Sequence, residues 1–271
     1  MSYLLKSLIP TFLQQTYNKI RNKGVQWHGN YPTWQAAAQR CDGYDSDAIF
    51  EKVKNAALAV KAGKALYERD SVLFHEPSYS WELIANLLKI AQENDGKLCV
   101  LDFGGAFGSS YFQNKKYFES VKDLTWCVVE QAHFVDFGKK ELATDQLKFY
   151  HTIKEVTQNH QPDVLLLLSV LQYLENPSDW ISQFLATNIS NILVDRTAFV
   201  EGAKDRITIQ QIPASIYKAS YPAWFFNETS FIKKFTDRYD LVAQSDSDVT
   251  KPIFLGLKKG YWQNFVFKVK Q

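Results

Sequence analysis

The apolar residues of this chain change their period near residue 96. Before that point they follow helical spacing. Ile49, Val53, Ala56, Ala57 and Val60 lie on one face of a helix that Asp45 or Ser46 can cap and that runs to about Gly63, or on to Tyr67. Ser80 can cap another, with Leu83, Ile84, Leu87, Leu88 and Ala91 on one face and Asn94-Asp95-Gly96 as its stop. A short helix over 34–40 follows an aromatic-rich irregular stretch holding Trp27 and Tyr31. Residues 1–95 are therefore predicted to form a helical N-terminal extension.

From residue 96 the pattern alternates between apolar runs and helical stretches. Strands are predicted at 98–103, 124–130, 147–151, 163–169 and 189–195, with helices at 111–120, 134–142 and 179–186 between them. The run Val164-Leu165-Leu166-Leu167-Leu168 shows no alternation, as expected of a central parallel strand covered on both faces. Beyond Asp195 the pattern changes. Residues 207–212 alternate like an exposed strand inside an aromatic-rich insertion at about 197–227, and a helix follows at 228–235. Strand candidates at 239–244, 253–257 and 265–269 complete the chain, and two of them would form an antiparallel hairpin at the sheet edge. The predicted class is α/β: residues 96–271 form a doubly wound, mostly parallel seven-stranded sheet.

The first of these strands carries the candidate chemistry. It runs through Asp102 and Phe103 into Gly104-Gly105-Ala106-Phe107-Gly108, and Ser109 opens a helix. A glycine turn lets backbone approach a ligand closely, because no Cβ intervenes; two glycines could also serve only to make a tight turn. A carboxylate inside the strand, at Asp102, gives such a turn no structural benefit. The dinucleotide fingerprint Gly-x-Gly-x-x-Gly fails, because Ala106 and Ser109 occupy its later positions. That makes a dehydrogenase a distant reading.

Asp102, Gly104 and Gly108 instead match Asp-x-Gly-x-Gly-x-Gly, with Ala106 at the middle glycine. Here the chain resembles class I (Rossmann-like) S-adenosylmethionine-dependent methyltransferases. With Ala106 in place, the turn is not expected to use a positive φ at that residue. The resemblance implies that residues 102–108 hold the adenosyl group. It also implies that Glu130, followed by Gln131, accepts hydrogen bonds from the ribose, that Thr152 stands near the adenine, and that Ser169 and Val170 flank the methyl donor. The family's usual acid after the third strand has no counterpart in His151-Thr152-Ile153. Tyr173 occupies the place where many small-molecule members carry a histidine. A phenol is a poor base at neutral pH but can orient a hydroxyl substrate; Tyr173 could equally be a packed aromatic.

The fifth strand leads into Asp195-Arg196-Thr197, and beyond it lie Tyr217, Tyr221 and Trp224 among Ser, Gln and Pro. Such residues offer apolar faces with polar tips for a sugar or another polar ring; a cap that packs its aromatics inward would have the same sequence. Tyr67-Glu68-Arg69-Asp70-Ser71 could place a charge pair at the mouth of the site or simply close the preceding helix. Together with Gly43-Tyr44, the 169–174 segment and Asp195-Arg196-Thr197, these stretches resemble an uncharacterised bacterial methyltransferase family associated with surface-polysaccharide biosynthesis. The expected reaction is methyl transfer from S-adenosylmethionine to a small or glycan-like acceptor at oxygen, with Asp195 as base, Tyr173 orienting, and Arg196, Tyr217, Tyr221 and Trp224 meeting the acceptor. The alternative is a non-catalytic S-adenosylmethionine-binding or assembly protein on the same fold.

Composition narrows the partners. Over 271 residues the hydrophobic share is 46%, ample for a core, and the formal net charge of +2 gives no electrostatic footprint for nucleic acid. Cys41, Cys99 and Cys127 suggest a reducing, cytoplasmic setting. Neither they nor His75, His133 and His160 show metal-ligand spacing along the chain, so no metal is expected. Residues 1–17, interrupted by Lys6 and Pro10, are too short and too broken a stretch to span a bilayer. They would suit either a helix packed on the protein or one lying on a membrane surface.

Overall fold

The structure, a computed structural model, describes residues 24–41, 46–69, 71–214, 216, 219–247 and 252–270. Strand β1 (Gln26–Tyr31) and helix α1 (Trp34–Ala38) precede α2 (Ser46–Lys61), the hairpin β2 (Tyr67–Arg69) and β3 (Val72–Phe74), and α3 (Trp81–Glu93). The alternating section follows: β4 (Lys97–Phe103), α4 (Ser109–Asn114), β5 (Asp123–Val129), α5 (Ala132–Glu141), β6 (Leu147–Tyr150), α6 (Ile153–Asn159), β7 (Val164–Leu168), α7 (Pro177–Ala186) and β8 (Asn191–Val200). Then come β9 (Arg206–Ile212), β10 (Ala219–Phe225), α8 (Glu228–Lys233), β11 (Tyr239–Asp246), β12 (Ile253–Leu255) and β13 (Lys258–Val269).

The main sheet has the order β11-β13-β8-β7-β4-β5-β6, with β12 added to β13. Strands β4 to β8 are mutually parallel, and β13 runs antiparallel to both β8 and β11. The edge hairpin is thus made by the first and third of the three late strand candidates. Because successive side chains in a strand point to opposite faces, the sheet buries two cores. Leu98, Val100, Trp126 and Val128 face Leu83, Leu87 and Ile90 of α3. Leu101, Phe103, Cys127 and Val129 face Val156 of α6 and Ile181 and Phe184 of α7. Helix α3 starts where Ser80 Oγ accepts the Leu83 N–H and stops where Asp95 and Gly96 take φ of +55° and +84°. The order of strands reverses at β4, so the crevice beyond the carboxyl ends of β4 and β7 is where such a sheet takes a ligand.

Three expectations are corrected. The segment before residue 96 is not wholly helical: β1 pairs with β9, and Tyr67–Arg69 belongs to a hairpin rather than to the end of α2. Strand β9 is not exposed but central in a second, antiparallel sheet, β1-β9-β10, with Ile207, Thr208 and Ile209 all at most 4% accessible. And β8 does not end at Asp195. It continues to Val200 through a register shift opposite β13, with Arg196 at φ +51°. Helix α6 was not foreseen, because only Val156 of its seven residues is buried, which leaves no apolar period to detect.

A backbone bridge from Phe226, just past β10, to Ala198 and Val200 of β8 joins the second sheet to the first, and side chains add to it. Trp27 of β1 meets Trp262 of β13 edge-on, ring centres 5.2 Å apart. Arg206 of β9 donates to the carbonyls of Gly29 (Nε, 2.8 Å) and Leu255 (Nη1, 2.7 Å). Hydrogen bonds from a charged donor contribute roughly 1.5–3 kcal/mol each. Arg206→Met is therefore expected to lower the unfolding free energy by about 2 kcal/mol in urea denaturation, with an unchanged slope. A shift of the midpoint within error of zero would mean that water satisfies these carbonyls equally well.

Candidate functional site

The site begins at the end of β4. Asp102 is 1% accessible; its Oδ2 accepts the Trp126 indole N–H at 3.0 Å, while its Oδ1 has no partner. Above it the chain turns through Gly104 at φ +73°. A Cβ on Gly104 would lie 2.6 Å from Val170 Cγ2, and one on Gly105 would lie 2.6 Å from the Asp102 carboxyl carbon. The second glycine is thus required by the buried acid beneath it, independently of its own dihedral angles. Ala106 does take a positive φ, +49°, contrary to the sequence expectation, at a cost of roughly 1–2 kcal/mol. Its N–H donates to Glu130 Oε1 at 3.3 Å, which ties the strained residue to the end of β5. Gly108, at φ +82°, leads into α4, and Phe107 is buried below the turn against Phe134.

Glu130 stands at the end of β5 beside this turn. Its Oε2 accepts the N–H of Gln131, the residue before α5, at 2.8 Å. Burial pushes its carboxyl above the usual range, opposed by the bonds from Gln131 and Ala106. Burial also drives the Asp102 carboxyl up to about 6; the Trp126 bond opposes this, nearby Glu130 adds to it, and Arg196 offsets part. Two raised carboxyls and a guanidinium therefore share one electrostatic neighbourhood around the turn. At the end of β6, Thr152 caps α6 by accepting the Glu155 N–H at 3.1 Å, so its hydroxyl already has a structural task.

The other wall comes from β7, β8 and the second sheet. Ser169, at φ +59°, accepts from Gln172 Nε2 at 3.0 Å, and Val170 packs against Gly104. Tyr173 donates to Gln210 Oε1 at 2.8 Å, and the same oxygen accepts the Trp27 N–H at 3.1 Å. Tyr221 lies edge-on to Tyr173, ring centres 5.4 Å apart. Asp195, 7% accessible, is bound by Arg196 Nη1 at 2.8 Å, and it lines a cleft with Ser80, Glu82, Asn86 and Asn264. Trp224 is engaged on both sides: it stacks near Trp34 and Phe226 and donates its N–H to the Leu174 carbonyl. That leaves it as packing rather than an open platform. Tyr217, Gly43, Tyr44 and Asp70 lie outside the described residues.

The fold thus gathers Asp102, Gly104, Gly105, Ala106, Gly108, Glu130, Ser169, Val170, Tyr173, Asp195, Arg196 and Tyr221 around the carboxyl ends of β4, β5 and β7 and the adjoining middle of β8. The sequence places Gln172 and Gln210 within candidate segments without singling either out. Both are buried, at 2% and 5% accessible, which no single-residue signal reveals. Sequence reasoning underweighted Glu68. This residue is 3% accessible, accepts the Ser71 N–H at 3.2 Å and bonds Ser109 Oγ just past the glycine turn.

No protein-family model and no curated protein matches the sequence. Several solved structures align with the chain at low similarity. The N-terminal domain of EvdMO1 with S-adenosylhomocysteine bound aligns at 10% identity and a TM-score of 0.46, covering 84% of this chain and 98% of that one. CalS10, an amino pentose methyltransferase from Micromonospora echinaspora with S-adenosylmethionine bound, aligns at 10% identity and 0.46, covering 71% and 93%. The N-methyltransferase NodS from Bradyrhizobium japonicum WM9 aligns at 12% identity and 0.44, covering 81% and 100%. Likeness at this level says nothing of which residues act. Among the described residues, no helix is long and apolar enough to cross a membrane.

The buried acid carries a consequence for stability. The carboxyl of Asp102 titrates near 6 in the folded chain against an ordinary 3.8, so between those values the folded state holds a proton that the unfolded state has lost. Its favourable contribution is complete below about pH 4 and disappears as pH rises through 6, a loss of about 3 kcal/mol. Asp102→Asn is expected to remove this descent and to be more stable than the parent at pH 8. Parallel stability profiles for the two proteins from pH 4 to 8 would contradict that assignment.

Proposed function

We propose that the chain transfers a methyl group from S-adenosylmethionine to a hydroxyl of a small or glycan-like acceptor, as in surface-polysaccharide biosynthesis. The observation that carries this reading is the cradle over Asp102: a turn in which the Gly105 position has no room for a side chain, above a buried carboxylate with an unused oxygen. Such a cradle fits a ligand that meets the backbone closely and brings its own donor. Glu130 fits the ribose role. An ionised carboxylate offers about four acceptor positions, and the two N–H groups bonded to Glu130 leave others for vicinal hydroxyls.

When bound, the sulfonium supplies an electrophilic methyl group, so the protein's task is alignment for in-line displacement. In this reading Val170 sets the distance of the second wall from the turn, and Tyr173, held by Gln210, orients the acceptor hydroxyl. Arg196 binds acceptor oxygens, and Asp195 takes the proton. Tyr217 and Tyr221 would line the acceptor side. A cytoplasmic location, with residues 1–23 touching the membrane surface, belongs to the same proposal, as does the domain division at about residue 95. The non-catalytic alternative draws on the Asp195–Arg196 pair, in which the base candidate is already engaged by a cation.

Calorimetry with S-adenosylhomocysteine tests the first half. Binding is expected, and Glu130→Gln should weaken it by roughly 10- to 100-fold, the worth of hydrogen bonds to a charged group. No heat at millimolar ligand would end the methyl-transfer reading. The second half is tested by turnover on a panel of hydroxylated and sugar acceptors. Tyr173→Phe should leave S-adenosylhomocysteine affinity unchanged while lowering kcat/KM for the acceptor by roughly 10-fold or more. Binding without turnover on any acceptor would favour the non-catalytic alternative.

A further inference from the structure

Spacing along the chain gives no reason to group Cys99, Cys127 and His160, but the fold does. Cys99 lies on β4, Cys127 on the adjacent β5, and His160 directly follows α6, which covers this face of the sheet. One ligand atom from each lies within 4.8 Å of the other two. Cys127 is fully buried, whereas Cys99 and His160 are half-buried and leave the cluster open on one side. Tyr150 Oη sits 2.7 Å from His160 Nε2 and fixes the orientation of the ring. The Asp163 carboxylate is committed elsewhere, accepting the Cys99 N–H at 2.7 Å and the Asn94 amide at 2.9 Å.

The two thiols are poorly placed for a disulfide. Cys99 stands opposite Thr125, and Cys127 opposite Leu101, so the cysteines are diagonal across the strand pair. Strand spacing and rise put diagonal α-carbons roughly 8 Å apart, beyond the span of about 7 Å that a disulfide tolerates. A metal ion has the longer reach. Tetrahedral bonds of about 2.3 Å hold two sulfurs roughly 3.8 Å apart, so a contraction of at most about 1 Å would close the cluster on an ion.

We propose that Cys99, Cys127 and His160 form a binding site for a thiophilic divalent cation, Zn²⁺, on the face of the sheet beneath α6. Two thiols and an imidazole are a borderline-soft donor set that suits this ion. Binding releases the two thiol protons and forms two Zn–S bonds and one Zn–N bond, giving a neutral centre with a fourth position for water. Each cysteine lies three residues before an acid of the proposed site, Asp102 or Glu130, and so about 10 Å from it along the chain. Its role is to clamp α6 to β4 and β5, apart from any methyl transfer.

Co²⁺ titration of the full chain under reducing conditions tests this. One equivalent is expected to produce a sulfur-to-cobalt charge-transfer band and the strong visible bands of a tetrahedral site, with Zn²⁺ displacing it. Cys99→Ser, at the half-buried position, should abolish the charge-transfer band or shift it to weaker, single-thiolate ligation. His160→Gln should alter the visible bands, and Tyr150→Phe should weaken binding by roughly 10- to 100-fold. Cys41→Ser, outside the cluster, should change nothing. S-adenosylhomocysteine binding should survive Cys99→Ser, which separates this site from the proposed active site. Absence of the bands, or bands that persist unchanged in Cys99→Ser and His160→Gln, would overturn the proposal. Recovery of a Cys99–Cys127 disulfide as the stable form of the purified chain would do the same.

Discussion

A carboxylate buried at the end of a strand, with backbone folded directly over it, is the constraint around which the rest of the site is arranged. Asp102 cannot be well solvated where it stands, and the indole of Trp126 satisfies only one of its oxygens. The turn above must pass within contact distance, which leaves no room for a Cβ at residue 105. The next residue, Ala106, takes a left-handed conformation, and its N–H is bonded to Glu130. One unfavourable burial thus fixes the turn, the neighbouring strand end and the spacing between two acids. Under the proposed methyl transfer, such bracing serves alignment, which is most effective when the site is held in advance.

The opposite wall is organised by a single amide. Gln210 accepts from both Trp27 and Tyr173, and so links β1, β9 and the segment after β7. Tyr173 therefore owes its position to residues far from it in sequence. Asn264 has a similar part on the other flank, accepting the Arg196 N–H at 3.0 Å where β8 bulges. Asp195 and Arg196 sit at this bulge and pair with one another while the strand itself continues, and bulges often fall where side chains are re-aimed.

Much of the main sheet was legible because its signals are local. Uninterrupted apolar residues marked Val164–Leu168 as central, and Ser80 with Asn94-Asp95-Gly96 bracketed α3 closely. The glycine turn was legible too, since a glycine pair after an acidic strand end has few physical explanations. What failed was whatever depends on distant partners. Nothing in Gln26–Tyr31, with Gly29 and His28 inside it, signals a strand until β9 exists to pair with it. The aromatic residues of the insertion could stack on a ligand or on one another, and Trp224 does the latter between Trp34 and Phe226. The proximity of Cys99, Cys127 and His160 arises from strand order and from a helix, α6, whose sequence carries almost no apolar pattern.

The pairing of β1 with β9 also bears on how the chain comes into being. Trp27 and Gln210 are 183 residues apart, yet they meet in one small sheet and one hydrogen bond. At about 5–20 residues per second, a ribosome needs roughly 10–40 s to supply the partner after the first strand has emerged. Throughout that interval Trp27 and the open edge of β1 must wait without their sheet. The wall that would face the acceptor can therefore be completed only after residues 102–130, with the glycine turn and its acids, have long been made.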